Sequence, residues 1–152
     1  MTVDNGLRPL FRQNLPDFDW CTIETGMTTQ GVPDSNYCAR PLTPSGPGFE
    51  GFVEYKATNG YVVDLRPEQI GWICRRVRWG GRVWIAVRRQ ATAGPRRGAA
   101  VDELWLFWGG LAKEARLGGL RDPAVARAAK VWGGGPARWD WRAVGARLRL
   151  RG

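Results

Sequence analysis

The segment "FEGFVEYKATNGYVVDLRPEQIGWICRRVRWGGRVWIAVRR", Phe49 to Arg89, decides the fold. Residues 49–58 mix β-branched and aromatic side chains and read as a strand, which Asn59-Gly60-Tyr61 breaks. Pro67 then stands at a first helical position with Glu68 in the first turn, and Ile70, Ile73 and Val77 follow at spacings of three and four. Gly80-Gly81 stop that helix. Residues 82–89 form a further strand with Val83, Ile85 and Val87 on one face.

Upstream of this unit, residues 5–15 predict a short helix ended by Pro16, and 18–25 a strand. Residues 26–33 are a Gly-rich loop, 34–40 a second strand, and the Pro/Gly-rich 41–48 another loop. Downstream, 91–100 reads as an exposed loop carrying an Arg pair, and 102–109 as a strand. The remaining stretches 110–120, 122–132 and 139–151 read as short helices separated by Gly runs. This order predicts an α/β fold with a central mixed β-sheet flanked by helices. Residues 1–110 make the core, and 111–152 a C-terminal helical extension of the same domain.

A chain of 152 residues is long enough to bury about two-thirds of the surface it exposes when unfolded. Its 43% hydrophobic content and nine Trp argue against disorder. No apolar run approaches the roughly eighteen residues of a membrane span, and "MTVDNGLRPL" lacks a signal-peptide core. The expectation is a cytoplasmic protein with no membrane partner. The net charge of +9 calls for an anionic partner, nucleic acid first, although a basic chain can also use its charge for solubility alone.

Residue types exclude whole chemistries. With no His, a Ser-His-Asp or Cys-His pair and a His-ligated metal cannot form within the chain. Cys21, Cys38 and Cys74 lie far apart without a C-x-x-C pair, which suits reduced, buried thiols better than disulfides or zinc. Of 23 basic residues only Lys56, Lys113 and Lys130 are Lys, so Lys56 stands out in a chain whose default cation is Arg.

Asp34 begins one expected strand, and Glu54 lies twenty positions later in the next. If the two strands are neighbours, the carboxylates meet and suit a hard cation such as Mg²⁺, which takes oxygen ligands and keeps several waters. Glu54 and Lys56 project from one face of their strand while Tyr55 points away, its backbone carbonyl left for the metal. Lys56 would then orient water or offset charge on a phosphate in the transition state. The plain alternative for E-x-K is an ion pair on a solvated strand face.

From Gly31 to Arg89 the chain resembles the PD-(D/E)xK nuclease superfamily, with "PD" at Pro33-Asp34 and "EYK" at Glu54-Tyr55-Lys56. Within it, the "LRPEQ" turn, the helix and the following basic-ended strand are similar to VRR-NUC nucleases and archaeal-type Holliday junction resolvases, of a kind also carried by phages. The resemblance implies a Mg²⁺-dependent endonuclease, with Mn²⁺ able to substitute, acting on branched DNA such as a four-way junction. It also implies a homodimer that cuts two opposed strands. A catalytic set of Asp34, Glu54, Lys56 and Gln69 follows, with Asp34, Glu54 and the Tyr55 carbonyl on the metal. Resolvases usually carry a further Glu on the first helix, but "LRPLFRQNL" has none. Gln13 or Glu24 are the substitutes on offer, and Glu24 is the one taken.

For the nucleic acid, Thr28, Thr29 and Gln30 of the Gly-rich loop are candidate phosphate contacts. Arg75, Arg76, Arg78, Arg82, Arg88, Arg89, Arg96 and Arg97 are candidates for a backbone-binding surface. Each also has a plainer reading as part of a solvated face. Trp72, Trp84 and Trp105 fall inside periodic apolar segments and are expected in the core or at a dimer interface.

Overall fold

The computed structural model describes residues 4–23, 30–92 and 100–152. Helix α1 (Leu7–Asn14) is followed by strands β1 (Phe18–Thr22), β2 (Ser35–Ala39) and β3 (Phe49–Thr58), helix α2 (Pro67–Arg78), and strands β4 (Val83–Ala91) and β5 (Val101–Trp108). Short helices α3 (Ala112–Gly118) and α4 (Pro123–Ala128), strand β6 (Lys130–Trp132) and helix α5 (Trp141–Leu148) complete the order. The strands form one six-stranded sheet in chain order, β1-β2-β3-β4-β5-β6. Only β3 and β4 run parallel, as α2 carries the chain back between them, so the sheet is mixed as expected.

Alternation along the strands divides the core into two layers. Val53 and Tyr55 of β3, Trp84 and Ala86 of β4, and Leu104 and Leu106 of β5 face one side. There they pack on Leu7 and Phe11 of α1 and on Val144 and Leu148 of α5. Val83, Ile85 and Val87 face the other side with Phe107, against Ile73 of α2, Ala112 and Ala115 of α3, and Val125 of α4. The α5 helix therefore closes the same core as α1, with Val144, Gly145 and Leu148 buried in the fold's interior. Tyr37 of β2 donates to the carbonyl of Leu148 at 2.5 Å, tying α5 to the sheet.

Two expectations are corrected. Cys21 and Cys38 are exposed, at outward positions of β1 and β2, and Cys74 is only partly buried. Residues 122–132 do not form a single helix: α4 stops at Ala128 and Lys130–Trp132 pair antiparallel with Leu104–Leu106. The unpaired β5 edge gains a partner there, an outcome that local Ala-rich helix propensity does not reveal. Of the three Trp expected inside, Trp84 is fully buried, while Trp72 and Trp105 are partly buried against the second core layer. No helix among the described residues is long and apolar enough to cross a membrane.

Candidate active site

β2 and β3 are antiparallel with Ser35 opposite Val53, which brings Asp34, one residue before β2, beside Glu54. The Tyr55 backbone N–H donates to Asp34 Oδ2 at 2.9 Å and pins that carboxylate over β3. The loop before Asp34 is fixed against α2 by Gly31. Its φ is +89°, and a Cβ there would sit 2.2 Å from the Glu68 carbonyl oxygen.

Glu54 and Lys56 lie on the β3 face that looks toward the start of α2, and both are buried. Gln69, in the first turn of α2 and itself buried, stands between them. Its Nε2 donates to Glu54 Oε1 at 2.8 Å, and its Oε1 accepts from Lys56 Nζ at 3.0 Å and from the Arg66 backbone N–H at 3.0 Å. Lys56 Nζ lies 3.6 Å from Glu54 Oε1. The amide thus caps the helix and orients a buried acid and a buried amine with the same side chain. Glu54 Oε2 is buried and has no hydrogen-bond partner.

These groups border one cavity of about 660 Å³, which also touches Tyr55 and Arg66. Burial pushes the Glu54 carboxyl up to about 8; the Asp34 charge adds to this and Lys56 opposes it. Asp34 is also raised by burial, against the lowering effects of the Tyr55 N–H, Arg8 and Lys56. Two acids crowded in this way, one with an orphaned oxygen, would be relieved by a cation. Among the described residues no three His, Cys, Asp or Glu side chains gather into a metal-holding group. Two carboxylates with a backbone carbonyl are nonetheless the sparse set Mg²⁺ uses, since it retains waters. The donors present fit that ion.

Four charged residues of the cavity, Asp4, Arg8, Asp64 and Arg66, were not among the sequence-based candidates. Asp4 and Arg8, from the turn before α1 and from its first helical turn, both border it. Arg8 Nη2 lies 3.7 Å from Asp34 Oδ1, and Arg8 Nε is buried without a partner. Asp4 accepts the Gly6 N–H at 3.0 Å, so it is held as the chain enters the helix. The sequence cue is "DNG" immediately before a helix, a turn signature that places an acid at the helix entrance. Gln13 is exposed on α1 and does not border the cavity. Glu24, Thr28, Thr29, Arg96 and Arg97 lie outside the described residues, and Gln30 is exposed on the turn before Gly31.

The basic candidates divide. Arg75 and Arg78 are exposed near the end of α2, and the exposed Arg76 stacks over Trp72 at 4.7 Å. Trp79, directly after α2, is 85% exposed. Arg82 donates to the carbonyls of Glu50 and Leu150, each at 2.9 Å. Arg88 grips Asp102 through two bonds of 2.9 and 2.8 Å, and Arg89 pairs with Glu103 at 3.3 Å. The structure therefore holds Arg88 and Arg89 in internal pairs across the β4–β5 hairpin, apart from the exposed cations of α2. No protein-family model matches the chain, and no curated protein or solved structure was found similar to it.

Proposed function

We propose that this protein is a Mg²⁺-dependent endonuclease for branched DNA, foremost a four-way junction resolvase working as a homodimer, with Mn²⁺ able to substitute. The observation that carries this reading is the convergence of Asp34, Glu54, Lys56 and Gln69 on one cavity, with Glu54 Oε2 buried and unpaired. The net charge of +9 supports an anionic polymer as substrate.

Asp34, Glu54 and the Tyr55 carbonyl would hold the ion, which when bound polarises a phosphate oxygen and acidifies water. The remaining work falls to the chain's own groups. Glu54 must lose its proton before it can serve as a ligand, and Gln69 holds its Oε1 so that Oε2 is the oxygen presented. Lys56 is kept from swinging away by Gln69, and offers an N–H to a phosphate oxygen as negative charge builds there. Arg8 at the rim supplies a second cation to the entering phosphate. Gln69 is a positioning residue, since it reaches the chemistry through Glu54 and Lys56.

A second reading, a flap or single-strand nuclease, is favoured by one feature: an amide-rich cavity without Arg or Lys beside the catalytic one, suited to an unpaired nucleotide. A non-catalytic basic binding protein is the remaining alternative. One preparation assayed on four-way junctions, flaps, nicked duplex, linear duplex and single strands, with Mg²⁺ and with chelator, separates them. Paired symmetric nicks confined to the junction are expected. Intact DNA on every substrate in Mg²⁺ and Mn²⁺ overturns the nuclease reading.

A further inference from the structure

The second cavity, of about 630 Å³, lies against the catalytic one and shares Asp64 with it. Its volume is within the roughly 300–1,000 Å³ usual for pockets that enclose a small molecule. It opens at the C-terminal ends of the sheet's parallel pair: Thr58 closes β3, and Gln90 is next to last in β4. Ligands of α/β sheets bind at such ends.

The chemistry of the lining is specific. Asn5, Asn59 and Gln90 contribute amides, Thr58 and Thr92 hydroxyls, Asp64 a carboxylate at the border with the catalytic cavity, and Val62 an apolar surface that is 73% exposed. Neither Arg nor Lys lines it, in a chain with 23 basic residues. A phosphate would call for cations; a flat heterocycle with donors and acceptors on its edge calls for amides and an apolar face.

The lining is also pre-set. Asn5 has a φ of +50°, a left-handed conformation that Asn tolerates better than most side chains. Its carbonyl accepts from Arg88 Nη1 at 2.7 Å, and Arg88 is itself locked on Asp102. Asn5 Nδ2 donates to Gln90 Oε1, and Gln90 Nε2 in turn donates to Asp102 Oδ2 at 3.5 Å. The internal Arg88–Asp102 pair thus anchors a small polar network at the pocket wall. A backbone outlier held by several partners is a common mark of a binding position.

We propose that this cavity receives the base of an unpaired nucleotide next to the scissile phosphate. Asn5 is flanked in sequence by Asp4 and Gly6, which both border the catalytic cavity, so a strand with its phosphate at Asp34 and Glu54 reaches this pocket with the adjoining base. The inference rests on the nuclease reading and names the feature of the substrate that site recognises: a nucleotide free of its partner at a branch or single-stranded arm. Asn5, Asn59 and Gln90 read its edge, and Val62 packs against its ring.

The test uses the full chain in Ca²⁺, with single-stranded and four-way-junction oligonucleotides in which one nucleotide at a time is made abasic or replaced by 2-aminopurine. Expected is one position at which removing the base weakens binding about tenfold and at which 2-aminopurine fluorescence changes on binding. In Asn59→Ala, on an exposed turn, and in Asn59→Ala/Gln90→Ala, the abasic penalty should shrink below about threefold at that position alone. A penalty under twofold at every position, or one unchanged in both variants, overturns the pocket. Cleavage of the same oligonucleotides in Mg²⁺ is followed in parallel. Nicking without a position-specific abasic penalty leaves the nuclease and removes the pocket; the penalty without nicking keeps the pocket and removes the nuclease.

Discussion

Gln69 donates to Glu54 through a 2.8 Å hydrogen bond, leaving only the other oxygen of that buried carboxyl, Oε2, without a partner. With the carboxyl pushed up to about 8, the proton it carries at neutral pH belongs on Oε2, where a cation would compete for the same lone pairs. Substituting Gln69→Glu puts a second carboxylate against Glu54. Cleavage should fall about 10–100-fold and its pH profile should move to higher pH. Gln69→Ala should lower the rate without that upward move. Identical pH profiles for wild type and Gln69→Glu would remove the positioning role.

Stability should carry the imprint of the same carboxyl. An acid whose folded-state pKa stands above its unfolded value of 4.5 binds more protons folded than unfolded between the two values. Its contribution is complete below 4.5 and is lost as pH rises toward about 8; Asp34, raised in the same direction, adds to the loss. Without divalent cations the melting temperature should drop by roughly 5 °C from pH 5 to pH 8. Glu54→Gln should flatten that slope and be the more stable protein at pH 8. Added Mg²⁺ should stabilise wild type at pH 8 and leave Glu54→Gln nearly unmoved. A wild-type stability that rises across this range in chelator contradicts the assignment.

Asp34→Asn and Glu54→Gln each keep the shape of the site and remove a metal-binding charge. Both should lower cleavage by at least about 100-fold while junction affinity in Ca²⁺ changes less than about threefold. Gel-shift titrations and nicking time courses on one labelled junction measure the two effects. Full activity in either variant would falsify the catalytic assignment.

Gly31 sets the approach of the Asp34 loop to α2. An alanine there meets the Glu68 carbonyl at 2.2 Å in a backbone conformation unsuited to a side chain, and should cost about 2–3 kcal/mol as well as activity. Gly60→Ala, where a Cβ meets nothing within 4 Å, is the matched control and should change stability little. Thermal melts and initial rates on both variants decide it.

The Asp34–Glu54–Lys56 arrangement was legible because strands alternate with a period of two, and because one lysine stood among arginines. Gln69 came from the resemblance of "LRPEQ" to the nuclease turn, with Pro67 placing it in the first turn of the helix. Asp4 and Arg8 were not, since their approach to the sheet depends on how α1 packs through Leu7 and Phe11 on residues far along the chain. Arg89 reads as a basic strand end until the hairpin register sets Glu103 directly opposite it. Strand β6 was hidden for a similar reason: three residues following an Ala-rich helix become a strand only because β5 offers a free edge.

The tie between Tyr37 and Leu148 makes the order of synthesis matter. The residues around the catalytic cavity are made before Val144 and Leu148, which help close the layer beneath β3. A nascent chain lacking residues 141–148 would expose Trp84, Tyr37 and Tyr55 and hold Asp34 and Glu54 on an unsupported sheet. In the nuclease we propose, the cutting geometry would therefore depend on the docking of α5 as well as on the residues that line the cavity.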